Sequence, residues 1–101
     1  MKSILISVSF LLLFCTSVLA NTAHINYVNS TSDQYTKLKS ELEDLGYTVT
    51  STNSGTVTLS DFSSKDLHIN IAGNNNCGNT CKTAYETYIG NGGYVIIAGN
   101  G

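Results

Sequence analysis

The sequence predicts an α/β fold on a parallel sheet of about four strands, order 2-1-3-4, preceded by a removable N-terminal segment. Three observations lead there. Strand-type alternation and helix-type spacing succeed one another as β-α-β, a linker, then β-α-β. The clearest helical stripe, Tyr35, Leu38, Leu42 and Leu45, stands between two β-branched or alternating runs. The first twenty residues combine Lys2, an apolar core from Ile4 to Phe14, and a Val18-Leu19-Ala20 end, the layout of a secretory signal peptide.

Each element has its own signal. In His24–Asn29, Ile25 and Tyr27 alternate with His24 and Asn26, as in a strand. Asn29-Ser30-Thr31-Ser32 is a loop ending in helix-capping residues, with Thr31 and Gln34 spaced as a capping box. The helix that follows stops at Gly46, where a left-handed residue is wanted. Tyr47–Thr52 reads as a second strand, Asn53-Ser54-Gly55 as a turn, Thr56–Leu59 as a short edge extension and Ser60–Lys65 as a polar connection. Asp66–Ala72 is the third strand, with Leu67, Ile69 and Ile71 on one face. A loop rich in Asn leads to a second helix over Cys81–Ile89, with Cys81, Ala84, Tyr85 and Tyr88 on one side. Gly90–Gly93 ends it, and Tyr94–Ala98 is a fourth strand whose apolar run, Val95–Ile97, suits burial on both faces. The 2-1-3-4 order puts the two helices on opposite faces, as in flavodoxin-like folds. Because nothing after Tyr94–Ala98 would cover that strand, the domain is expected to be an incomplete, C-terminally truncated sheet spanning 21–101.

Composition narrows the partners. With Lys2 removed, four lysines and no arginine face seven acidic residues, which disfavours nucleic acid and anionic membrane surfaces. The expected location is secreted, extracellular or periplasmic, with no membrane attachment after cleavage. Further domains of a longer chain are the expected partners.

Four groups of residues are candidates for function. His-Ile-Asn occurs twice, so adjacent first and third strands would place His24, Asn26, His68 and Asn70 on one sheet face, either as a polar site or as a hydrogen-bonded or solvated face. Asn29, Ser30, Thr31 and Ser32 follow a strand and open a helix, where backbone N–H groups can hold an anion. They lack the glycine of a flavin phosphate loop, and no cofactor is expected. Asn74, Asn75 and Asn76 follow the carboxyl end of the third strand, where open α/β sheets place ligands. Cys77 and Cys81, the two cysteines left after cleavage, read first as a disulfide in an exported chain. No metal site is expected, because further ligands at suitable spacing are missing.

The run Asp66–Gly101, "DLHINIAG", a helix, "GNGG" and "YVIIAGNG", resembles the class I glutamine amidotransferase-like superfamily of flavodoxin-like domains. The earlier half, "HINYVN…YTKLKSELEDLGYTVT", is similar to the first β-α-β unit of that group. Catalytic members carry a cysteine in a G-x-C-x-G elbow after such a strand. Here the corresponding stretch is Ala98-Gly99-Asn100-Gly101, so no catalytic residue is assigned. The resemblance implies a secreted amidotransferase-like domain with a binding or structural role. Two alternatives are the front of an extracellular hydrolase whose catalytic residues lie beyond Gly101, and small-ligand binding at the carboxyl-end loops.

Overall fold

A computed structural model describes residues 21–72 and 78–98. The expected signal peptide, the loop residues Asn74–Asn76 and Cys77 lie outside the described residues. Strands β1 (Thr22–Tyr27), β2 (Thr48–Asn53), β3 (Leu67–Asn70) and β4 (Tyr94–Ile97) form one open sheet in the order β2-β1-β3-β4. Every neighbouring pair is parallel. This is the α/β architecture and strand order expected from the sequence, and it is compatible with a flavodoxin-like fold.

Helix α1 (Ser32–Asp44) joins β1 to β2, and α3 (Gly78–Gly90) joins β3 to β4. Strand alternation divides their territory. Ala23, Ile25, Ile69 and Ile71 point to the α1 side and pack with Leu42, Leu38 and Tyr35. The opposite side holds Val57, Phe62, Cys81, Ala84 and Tyr88, with Val95 and Tyr85 against them. The two helices therefore cover opposite faces, as the sequence predicts.

Local chemistry explains the helix ends. Gly46 takes φ +98°. Its N–H donates to Glu43 O at 3.0 Å, and the Tyr47 N–H donates to Leu42 O at 2.9 Å, the paired bonds of a Schellman stop. The start differs from the expected capping box. Asn29–Thr31 forms a 3₁₀ turn, and the Thr31 hydroxyl turns back to the Val28 N–H and C=O, both at 3.1 Å. It is thereby withdrawn from capping α1, and Gln34 has no reciprocal role.

Three further expectations are corrected. The linker is neither an edge strand nor a plain connection: Leu59–Phe62 is a short helix, α2, and Phe62 is fully buried. One large aromatic side chain over a polar sheet face is enough to seat a single turn. The apolar β4 is not buried on both faces, since Tyr94 is 73% and Ile97 62% exposed. As an edge strand it has one neighbour, and only Val95 reaches the cluster under α3. Leu45 completes the apolar spacing but follows the last helical residue, and it too is exposed.

The turn into β4 is fixed by Tyr88. Its hydroxyl donates to Lys65 O at 2.8 Å, and its ring lies where a side chain on Gly93 would have to go. Because the ring is held at its far end, it cannot yield. Gly93→Ala should destabilise the protein by about 1–3 kcal/mol, as overpacking typically does, read as a lower urea midpoint. An unchanged midpoint would show that the Tyr88 ring is not fixed.

Candidate functional site

The β1–β3 register sets His24 opposite His68 and Asn26 opposite Asn70. All four residues expected to form a polar face are brought together. They are buried: His24 is 1% exposed and His68 0%. The alternatives left open by the sequence resolve toward internal hydrogen bonding.

The two imidazoles meet nitrogen to nitrogen, His24 Nδ1 to His68 Nδ1, at 3.0 Å. His24 Nε2 lies 2.8 Å from Thr52 Oγ1, which is 3.2 Å from Asp61 Oδ2. On the other side, His68 Nε2 is 3.3 Å from the Tyr85 hydroxyl, which accepts from Asn70 Nδ2 at 2.8 Å. Asn70 Oδ1 accepts the Ala72 N–H at 2.9 Å. A continuous relay therefore runs Asn70, Tyr85, His68, His24, Thr52, Asp61.

The ends of the relay fix its polarity. An amide NH₂ can only donate and a carboxylate can only accept. With both histidines neutral, the arrangement that satisfies every contact has Tyr85 donating to His68 Nε2, His68 Nδ1–H donating to His24 Nδ1, His24 Nε2–H donating to Thr52, and Thr52 donating to Asp61. His24 is then the Nε2–H tautomer and His68 the Nδ1–H tautomer. Burial agrees with this assignment. It lowers His68 to about 3, with the neighbouring His24 adding to the effect. It also lowers His24, against the attraction of Asp61 and with a smaller push from Lys65. Burial raises the hydroxyls of Tyr85 and Tyr88.

Phe62 seals this face. Its ring stacks on His68 at 3.9 Å and 20° and approaches His24 at 6.0 Å. Beyond Thr52 and Asp61, a polar cavity of about 310 Å³ opens among Thr50, Ser60, Ser64 and Lys65, with His24 at its inner wall.

Asn26 is the exception to internal satisfaction. Its Nδ2 donates to Ser54 O. A carbonyl cannot donate, so the opposite atom must be Oδ1, and that buried acceptor has no partner among the described residues. It lies at the carboxyl end of β1, beside β3, where the connections diverge to opposite faces. Open α/β sheets bind ligands at this position in the topology.

Of the loop candidates, Asn29 Oδ1 accepts from Asn53 Nδ2 at 2.8 Å. Thr31 is committed to Val28, while Ser30 and Ser32 are exposed. Asn74, Asn75 and Asn76 lie outside the described residues, as does Cys77. Cys81 sits in the buried cluster under α3. Among the described residues, no group of three or more His, Cys, Asp or Glu is placed to hold a metal ion. Among them also, no helix is long and apolar enough to cross a membrane. Sequence reasoning missed Thr52, Asp61 and the hydroxyl of Tyr85. Thr52 carried a readable signal, since it shares its strand alternation with Thr50. Asp61 becomes available only once α2 forms.

Comparison with protein-family models, with curated proteins and with solved structures finds no match for this chain.

Removing one hydroxyl tests the relay. Tyr85→Phe leaves His68 Nε2 and Asn70 Nδ2 without their shared partner and should destabilise by about 1–3 kcal/mol, measured by denaturant unfolding at pH 7.5. The lowered histidines also give stability a direction with pH. The unfolded chain, near the ordinary value of 6.5, binds protons that the folded pair refuses. Their contribution is complete above that value and is lost as pH falls from 6.5 toward about 3.

Proposed function

We propose that this chain is a secreted α/β domain with a binding role and no reaction of its own over residues 21–98, taking a small ligand in the crevice at the carboxyl ends of β1 and β3. The observation that carries the binding reading is the unpartnered, buried Oδ1 of Asn26 at the point where strand order reverses. Such an acceptor is costly to leave unmade, so the complementary ligand offers an N–H or O–H donor, as sugars and primary amides do.

The polarity of the relay supports the absence of a reaction. Thr52, His24 and His68 have the spacing of a nucleophile, a base and an orienting group. Yet the Thr52 hydrogen is directed to Asp61, and His24 presents an N–H to the hydroxyl instead of a lone pair. The base is therefore in the wrong tautomer to activate Thr52. The amidotransferase-like resemblance belongs to the same reading, as kinship of fold without the elbow cysteine.

The experiment is a backbone-amide NMR titration of the folded protein with simple hexoses and primary amides as probes. Shifts clustered at Asn26, Ser54, Asn70 and Val28–Thr31 are expected. If none of the probes moves these amides, Asn26 serves packing, and a structural role replaces the binding one. Export carries its own prediction. The intact mass of the secreted protein should begin at Asn21 and be lighter by two hydrogens for a Cys77–Cys81 disulfide, regained on reduction. A retained leader or an unchanged mass on reduction would reject that part.

A further inference from the structure

We propose that the facing imidazoles of His24 and His68 form an acid-operated latch that holds α2 (Leu59–Phe62) against the sheet at neutral pH and releases it in mildly acidic surroundings. The geometry sets the rule. One proton fits between two nitrogens 3.0 Å apart, and it is already present as the His68 Nδ1–H. In the relay as polarised, the remaining imidazole lone pair is His68 Nε2, which accepts from Tyr85. An added proton must bond there, and the Tyr85 hydroxyl hydrogen must turn away. His68 then carries a positive charge in a fully buried position.

The surroundings do not compensate that charge. From α2 and the turn after it come Asp61 and Lys65, of opposite sign. From α3 come Tyr85 and Tyr88, both held neutral. β2 brings Thr52 and β4 brings Val95, neither of them titratable. Asp61 is reached from His68 only through His24 and Thr52, so the charge does not form a direct ion pair. The face of Phe62 attracts an imidazolium, but that attraction is smaller than the penalty for burying an unpaired charge.

Relief comes through α2. It is a four-residue helix. Its direct hold on the sheet is the Phe62 ring stacked on the two imidazoles and the Asp61–Thr52 bond, and Phe62 packs besides among Val57, Cys81, Ala84 and Tyr88 on the α3 side. Lifting this one turn exposes the histidines to water without disturbing the opposite face, where the buried core is entirely apolar.

Hydrogen exchange of the full chain, followed by mass spectrometry at pH 7.5, 6.0 and 5.0 and corrected for the intrinsic pH dependence of exchange, tests the latch. Protection across 59–65 should fall by about tenfold for each pH unit below 6.5 if one imidazole is protonated on opening and by up to about a hundredfold if both are, while α1 (Ser32–Asp44) keeps its protection. His24→Gln leaves His68 as the one buried imidazole of the pair and should make that dependence shallower. If this variant does not fold, the wild-type exchange pattern decides alone. Protection at 59–65 unchanged down to pH 5.0 would overturn the proposal. So would simultaneous loss at 59–65 and α1, which is ordinary acid unfolding.

Discussion

The in-register pairing of β1 with β3 is the constraint on which the rest depends. It is anchored at the amino ends by Asp66, whose carboxylate accepts from the Thr22 N–H at 2.8 Å and from the Thr22 hydroxyl at 3.2 Å. It continues at the carboxyl ends, where the Ile71 N–H donates to Asn26 O at 2.8 Å. Because side chains alternate, this one register does two things at once. It stacks Ala23 and Ile25 with Leu67 and Ile69 for α1, and it forces His24 against His68 on the other side. A slip of either strand by one residue would put its histidine under α1 and its isoleucine under Phe62, so the polar and apolar faces specify each other.

The polar face is closed, and among the described residues one buried side-chain polar atom on it, Asn26 Oδ1, lacks a partner. Four polar side chains in the middle of a small sheet would be destabilising unless each donor met an acceptor. Here the relay achieves that for three of them and makes the arrangement directional, because Asp61 can end it only as an acceptor, which commits the Thr52 hydrogen and makes His24 Nε2 the donor. Tautomers that a lone neutral histidine leaves open are thus assigned from the carboxylate end. Asn26 stands apart from the relay, held by a single bond to Ser54 O. The contrast between one orphaned oxygen and a neighbouring network with none is what directs the functional reading to the carboxyl-end crevice instead of to the histidines.

How much of this was legible in the sequence follows from the range of each signal. The strands, α1, α3, the strand order and the sharing of a face by His24, Asn26, His68 and Asn70 rest on period-two and period-3.6 patterns, which are local. Gly46 was readable for the same reason. Two features, Phe62 and the exposure of β4, depend on contacts distant in the chain, and a third, Thr31, on a local choice between two partners. Phe62 makes a helix of its surroundings only because a sheet face waits beneath it. The Thr31 hydroxyl had a capping role available and found Val28 closer. The apolar run of β4 describes what its side chains could bury, and its position at the sheet edge decides that Tyr94, Ile96 and Ile97 bury little.

These differences also separate the two faces by their chemistry. The α1 face is held by aliphatic and aromatic packing, whose strength is nearly independent of pH. The α2–α3 face adds to its own apolar cluster a layer of groups whose hydrogen bonds require particular protonation states. The faces share strands, so the backbone ladder couples them, but their side-chain layers do not interpenetrate. Loss of the polar layer would leave β1 and β3 still paired and still covered on the α1 side. A sheet of this kind can therefore lose order on one face first, and the order of loss is set by two histidines placed in register.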